Sequence, residues 1–450
     1  MYVVVVGMGE VGRHVVRTLE WEQNDVVAID EDPDAIRYVE EHHDVLTLVG
    51  YGASREVLAR AEAHRADLFV ACTDNDEVNL IAALAAKQSG ARRTIARVQG
   101  RHWAGQGEGE GIEYGLLGVD VVFNPRVLLA HELTNIAQSH GALEVVAIAS
   151  NRLEVVQLEL DEHNRMLHKP IARLPLPRGV LVGAVVRDRE LFVPGGADVL
   201  LPDDRVYLLG LPEEVEQASD QIVRGRDARR VCIVGGGVVG ELLARHLSAA
   251  GQFEILLIEQ DPERARELAS ELEGVSVVQG DGTDLDLLRE EQVGTYDLFC
   301  AVSHEDEVNL MAGLLAKRAG VARTATLVHR PDYVDIYRQL GIDVVLSPRT
   351  TAADHILRYC RQAELRSLTL IEEGKAEILE IVAPDDSRVV GLPVRRLPVP
   401  RGALLAAIIK PDRVVIPRGD DVIEPGDTVV VLTTQAARAA VGKMFRKRAL

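Results

Sequence analysis

Short runs of Val, Ile and Leu alternate along the chain with longer segments rich in Ala, Leu, Glu and Arg. A strand covered on both faces is apolar throughout, so this alternation predicts βαβ crossovers and a parallel, doubly wound sheet. The run Met1–Val6 predicts a strand at once, with no charged leader of the kind a signal peptide carries. Helices are expected over Val11–Leu19, Val57–Ala61 and Val78–Ala86, and again over Glu241–Leu247. A different pattern follows each α/β stretch. Val180–Val186 and Arg205–Leu209 flank the turn residues Pro194-Gly195-Gly196, and Ala403–Ile409 and Thr428–Leu432 flank Pro417-Arg418-Gly419. These read as small β-rich units.

The pattern occurs twice. Val3–Gly12 (VVVVGMGEVG) returns as Val231–Gly240 (VCIVGGGVVG), and Ile29–Pro33 returns as Ile258–Pro262. The segment DEVNL stands unchanged at Asp76–Leu80 and Asp306–Leu310. Leu117–Val122 matches Leu340–Val345, each leading to a Pro-Arg pair, Pro125-Arg126 and Pro348-Arg349. Leu174–Gly179 (LPLPRG) parallels Leu397–Gly402 (LPVPRG). The period, about 225 residues, is too long for a solenoid and indicates a tandem duplication. The expected fold is α/β: two Rossmann-like doubly wound parallel-sheet domains, 1–140 and 227–363, each followed by a small β-rich α+β domain, 141–226 and 364–450. The polar stretch Arg224–Asp227 is the expected hinge. The Gly/Glu stretch 105–111 occurs only in the first copy and is expected to be a loop.

Composition narrows the functional classes. A formal charge of -20 argues against nucleic acid as a partner, because phosphate backbones need a basic surface. Aromatics are only 4% of the residues, so the cores must be aliphatic. Cys72, Cys232, Cys300 and Cys360 form no CxxC pair, which suits buried thiols of a reduced compartment better than zinc ligands or disulfides. The apolar run Ala403–Ile409 is far short of the roughly 20 residues a membrane span requires.

The chemistry lies in the two GxGxxG turns, each following a strand and opening a helix, the context that makes this fingerprint meaningful. Gly7 and Gly235 permit the tight turn, Gly9 and Gly237 leave room for a pyrophosphate, and Gly12 and Gly240 let the helix pack closely. The next strands end in Asp30 and Glu259, placed to accept bonds from ribose hydroxyls and to repel a 2′-phosphate, which favours NAD(H) or an adenine nucleotide over NADP(H). Asp32 and Asp261, each before a proline, are expected to cap helices. Thr73-Asp74 and Ser303-His304 end the fourth strands, where they can bond a ligand or cap the following helix. Arg97 aligns with Leu327; the arginine is expected either to point at phosphate, so that the first site holds anions more strongly, or to form a surface ion pair. HExxH, GxxxxGK[ST] and GxSxG motifs are absent from the sequence.

GMGEVG, the Asp30 acid, Thr73-Asp74, the DEVNL segments, the Ile95–Val98 run and the paired LPxPRG motifs together resemble the TrkA family, peripheral subunits of bacterial and archaeal Trk potassium uptake systems. The units are similar to domains that regulate potassium conductance in channels. The resemblance implies a non-enzymatic regulator that binds NAD(H), with ATP or ADP as alternative ligands. It also implies a homo-oligomer, a tetramer, gating a potassium-translocating membrane subunit from the cytoplasmic face. The first site would comprise Gly7, Met8, Gly9, Glu10, Val11 and Gly12 with Asp30, Thr73, Asp74 and Arg97. The second would comprise Gly235, Gly236, Gly237, Val238, Val239 and Gly240 with Glu259, Asp281 and Ser303. Tyr51 departs from the polar residue usual after Gly50, whereas Asp281 keeps it. Two alternatives remain: a regulator of another cation transporter, and an NAD-dependent dehydrogenase, although the β-rich units offer no clear acid-base group for the latter.

Overall fold

The computed structural model describes residues 1–21, 23–100, 103, 111–139, 142–149, 152–162, 164–188, 190–222, 230–361, 367–371, 375–410 and 413–446. The expected hinge at Arg224–Asp227 and the Gly/Glu stretch up to residue 110 lie outside them, as does the side chain of Cys360.

The first α/β repeat runs β1 (Tyr2–Val6), α1 (Glu10–Trp21), β2 (Asp25–Asp30), α2 (Pro33–His42), β3 (Leu46–Val49), α3 (Arg55–Arg60), β4 (Leu68–Ala71), α4 (Asp76–Ser89), β5 (Thr94–Arg97), β6 (Ile112–Tyr114), β7 (Val121–Phe123) and α5 (Pro125–Gln138). The first β-rich repeat follows with β8 (Glu144–Ile148), β9 (Leu153–Glu159), β10 (Val180–Arg187), β11 (Glu190–Phe192), β12 (Arg205–Gly210) and α6 (Pro212–Ile222). The second α/β repeat contains β13 (Arg230–Val234), α7 (Val238–Ala250), β14 (Glu254–Glu259), α8 (Pro262–Glu271), β15 (Val275–Gln279), α9 (Leu285–Glu290), β16 (Leu298–Ala301), α10 (Asp306–Ala319), β17 (Arg323–Leu327), α11 (Val334–Gln339), β18 (Val344–Leu346) and α12 (Pro348–Arg361). The last repeat has β19 (Ser367–Ile371), β20 (Ala376–Val382), β21 (Ala403–Ile409), β22 (Val414–Val415), β23 (Thr428–Thr434) and α13 (Arg438–Phe445).

Two compact units result: Met1–Thr134 with Arg229–Cys360, and Asn135–Ala228 with Arg361–Leu450. In the first unit the sheet orders are β3-β2-β1-β4-β5-β7-β6 and β15-β14-β13-β16-β17-β18, parallel except where β6 runs against β7. These are the doubly wound sheets the alternation predicts. In the second unit two antiparallel five-stranded sheets, β11-β10-β12-β9-β8 and β19-β20-β23-β21-β22, contribute side chains to a common core that includes Val155, Tyr207, Ile378 and Leu432.

Helices extend beyond the apolar positions that announce them. α4 starts at Asp76 because Asn75 caps it, its side chain accepting from the Val78 amide. Asp32 and Asp261 cap α2 and α8 as expected, accepting from the amides of Asp34 and of Glu263 and Arg264. Strand β6 is absent from the sequence reading; the second repeat has the helix α11 at the corresponding place in its order.

The helices that close the two α/β repeats are exchanged. Ala352, Ala353, Ile356, Leu357 and Tyr359 of α12 are buried in one core with Val3, Val5, Val70 and Phe123 of the first repeat. The His355 ring lies 5.2 Å from Phe123, and the Tyr359 and Tyr114 hydroxyls are 3.1 Å apart. In the other direction, α5 meets α7: the rings of His131 and His246 are 4.5 Å apart, and Thr134 Oγ1 lies 3.3 Å from His246 Nδ1.

Candidate nucleotide crevices

Register brings each site together. β1 pairs in parallel with β2 and β4, matching Val6 with Ile29 and with Ala71. Gly7, Asp30 and Cys72-Thr73 therefore emerge side by side where the strand order reverses, the place where open α/β sheets bind ligands. Val234 pairs likewise with Ile258 and Ala301, which brings Gly235, Glu259 and Ser303 together.

The glycines divide their work. Gly7 has φ +97°, and a Cβ there would stand 2.7 Å from the Thr73 amide nitrogen. A Cβ on Gly12 would lie 1.8 Å from the Gly7 carbonyl oxygen, so this glycine lets α1 close on the turn itself, beyond the helix-sheet approach expected of it. Gly9 has nothing within 4 Å of its Cβ position and lines the crevice. Gly235, Gly240 and Gly237 repeat these three conditions, with Gly237 on the second crevice wall. Open space at the middle glycine, beside the unsatisfied amides of a helix N-terminus, suits the phosphates of a nucleotide.

The acids are pinned. Asp30 Oδ2 accepts from the Met8 amide at 2.5 Å, and Oδ1 accepts from Asp32 at 2.9 Å. Glu259 does the same with the amides of Gly236 (2.5 Å) and Asp261 (2.8 Å). A carboxylate oxygen has a second lone-pair site, so these bonds leave acceptor capacity for ribose hydroxyls. Asp30, Glu31, Tyr51, Thr73 and Asp74 line the first crevice; Glu259, Asp281, Ser303 and His304 line the second. Asp281 Oδ1 already accepts from the Thr283 amide and hydroxyl. Glu10, Val11 and Val239 open the helices beside the turns. Cys72 also faces the first crevice, but burial pushes its thiol up to about 12, which leaves it inert as a nucleophile.

Arg97 forms an ion pair, the alternative to a phosphate contact, but as a buried side chain and not at the surface. Its Nη2 donates to the Thr73 carbonyl at 2.9 Å and to Asp74 Oδ1 at 2.8 Å, and its side chain is only 9% exposed. The crevice wall comprises Thr73 and Asp74, with Arg97 behind them.

Sequence reasoning also passes over Asn79 and Asn309. Asn79 is fully buried; its Oδ1 accepts from the Thr73 amide and hydroxyl, and its Nδ2 donates to the carbonyls of Thr73 and Arg97. Asn309 accepts from the Ser303 amide and donates to the carbonyls of Ser303 and Leu327. The unchanged DEVNL segment was the available signal, since an asparagine inside a helix otherwise has modest propensity. Asp76 and Asp306, from the same segment, hold the loops after β5 and β17 through the amides of Gln99 and Gly100 and of His329 and Arg330. Arg126 lies on the wall of the second crevice, although it belongs to the first repeat.

Among the described residues no helix is long and apolar enough to cross a membrane, and no cluster of His, Cys, Asp and Glu could hold a metal. Fold and crevices thus define a duplicated Rossmann-type protein with paired nucleotide-shaped clefts and paired β-rich modules.

Comparison with known proteins agrees with this division. The TrkA-N domain matches residues 3–125 and 231–348, and the TrkA-C domain matches 155–223 and 378–446. The chain belongs to the TrkA family. It is 33% identical to the Trk system potassium uptake protein TrkA homolog 1 of Methanosarcina mazei, over 99% of this chain and 100% of that one. It is 35% identical to the TrkA homolog of Archaeoglobus fulgidus, again over 99% and 100%. Among solved structures, the GsuK channel superposes with a TM-score of 0.65 at 18% identity, covering 98% of this chain and 78% of that one. At that identity the likeness establishes the fold.

Proposed function

We propose that this chain is a cytoplasmic, non-enzymatic regulatory subunit of a Trk-type potassium uptake system, acting from the inner face of the membrane. It binds NAD(H), or ATP or ADP, in its Rossmann crevices and gates a potassium-translocating membrane partner. The observation that carries this reading is the end-to-end likeness to Trk potassium uptake proteins, joined to two crevices built alike around an open glycine and a pinned acid. A structure of similar fold is described as the GsuK channel bound to NAD, with a TM-score of 0.63 at 17% identity, and another as GsuK bound to ADP.

In this reading Gly7–Gly12 and Gly235–Gly240 cradle phosphate, and Asp30 and Glu259 hold ribose. Thr73, Asp74, Ser303 and Asp281 close the crevices, and Arg97 belongs to the first site by holding Thr73 and Asp74. Four domains with the boundaries expected from sequence carry these roles. Self-association is part of the proposal: Ile81 on α4 and Met311 on α10 are 53% and 51% exposed, apolar surface of the kind a subunit contact covers.

The test is copurification with a Trk-type potassium-translocating membrane subunit, followed by potassium flux with and without NADH, NAD, ATP and ADP. Flux that ignores all four ligands removes the gating role. Sustained oxidation of NADH by the pure chain with a small metabolite removes the non-enzymatic one. A dehydrogenase has one point in its favour, the His329–Asp306 pair at 2.8 Å beside the second crevice. Asp306 is, however, occupied by two loop amides, as Asp76 is in the first repeat, where Gln99 replaces the histidine.

A further inference from the structure

Each α/β repeat ends in a helix that begins with Pro-Arg, and the exchange of these helices carries each arginine to the other repeat's glycine turn. Arg349, at the start of α12, pairs with Glu10 in the first turn. Arg126, at the start of α5, lines the second crevice with Gly237, Val238, His304 and His329. The two turns differ at the residue that decides the outcome. Glu10 of the first is Val238 in the second, so the arginine arriving at the first turn is neutralised and the one arriving at the second is not. Arg126 is exposed, its backbone amide donates to Asn124 Oδ1, and its guanidinium has no ion-pair partner among the described residues.

The surroundings reinforce the difference. The described walls carry the same number of acids, Asp30, Glu31 and Asp74 in the first crevice and Glu259, Asp281 and Glu305 in the second, but only the second carries an arginine; Arg97 lies behind the first wall, engaged with Asp74. We infer that the second crevice is a composite site, completed by Arg126 from the first repeat, and that it is the crevice that selects ligands by phosphate charge. This reverses the order expected from Arg97 and Leu327, and it rests on the nucleotide-binding reading above. The ligand class is an adenine nucleotide with a charged polyphosphate, for which a guanidinium supplies charge-assisted, paired hydrogen bonds. Because the arginine and the glycine turn come from different repeats, occupancy of this crevice also ties the two repeats together.

The experiment uses the full chain carrying Gly9→Leu, which fills the first crevice from a position with no packing conflict. Calorimetry with ATP and with adenosine is compared before and after Arg126→Gln. The expected result is an ATP affinity about 10- to 100-fold lower and an adenosine affinity changed by under about 3-fold. Val238→Glu, which recreates the turn of the first repeat and leaves Arg126 in place, is expected to weaken ATP in the same selective way. This second variant decides the matter if Arg126→Gln melts early. Equal losses for ATP and adenosine, no loss in either variant, or a Gly9→Leu protein that binds no ATP while the unmodified chain does, would overturn the composite site. An unmodified chain that binds no nucleotide would instead overturn the reading on which it rests.

Discussion

Asp30 Oδ2 accepts a hydrogen bond from the Met8 amide at 2.5 Å, so the acid at the end of β2 holds the glycine turn at the end of β1 in shape. With its other oxygen on the Asp32 amide, the same carboxylate also orders the start of α2. In the proposed function, ligand recognition and local stability share this one side chain.

Replacing Asp30 with Ala is expected to lower stability by about 1–2 kcal/mol, since the partly buried Met8 amide and the exposed Asp32 amide lose their acceptor. Adenosine binding in the first crevice falls at the same time. Urea unfolding, read as a lower midpoint with an unchanged slope, checks the first effect. Unchanged stability with weakened binding would assign Asp30 to the ligand alone.

Asn79→Ala is expected to cost about 1–3 kcal/mol, because the Thr73 amide loses its acceptor and the Arg97 carbonyl loses a donor, while the Thr73 carbonyl keeps only its bond from Arg97 Nη2. Asn309→Ala removes the same bonds in the second repeat and is expected to cost a similar amount. Asn79→Asp keeps the shape but not the donor and is not expected to rescue. Urea unfolding of the three variants is the measurement, and a near-neutral Asn79→Asp would rule out the donor role.

Arg97→Leu is expected to weaken ATP and adenosine in the first crevice by about the same factor, within roughly 3-fold of each other. In the proposed site the guanidinium acts through Thr73 and Asp74, which it holds and which both ligands would meet. Calorimetry in a Gly237→Leu background isolates this crevice. A loss of about 10- to 100-fold confined to ATP would place Arg97 directly on phosphate. Enlarging Gly240 is not a usable block, since a Cβ there would lie 1.9 Å from the Gly235 carbonyl oxygen.

Glu154 makes stability depend on pH in the β-rich unit. Burial, and secondarily the Glu216 carboxylate, push its carboxyl up to about 7. The folded value thus exceeds the unfolded one, near about 4.3. Ionisation then opposes folding, by nothing below the unfolded value and fully above about pH 7. Glu154→Gln is expected to stabilise the protein by about 1–2 kcal/mol at pH 8, after discounting for partial exposure, and to change little at pH 4.5. Urea midpoints at the two pH values check the sign. Equal effects at both would mean that the carboxyl titrates normally.

The doubled order of α/β and β-rich units, the sheet class, both glycine turns and both acids were legible in the sequence, because each is a local pattern set by chain periodicity and turn chemistry. The unchanged DEVNL segment was legible too, but the burial of Asn79 and its bonds to Thr73 and Arg97 were not. The role of the Pro-Arg pairs was not. Their repetition is plain, yet which sheet a helix covers depends on contacts between residues far apart in sequence, and α5 and α12 each meet the other repeat. Arg97 shows the same limit at short range. Its place at a strand end follows from sequence, but Asp74 and the Thr73 carbonyl, brought near by the pairing of β4 with β5, decide where the guanidinium goes. Only tertiary structure distinguishes a cation behind the wall of its own crevice from one delivered to the crevice of the other repeat.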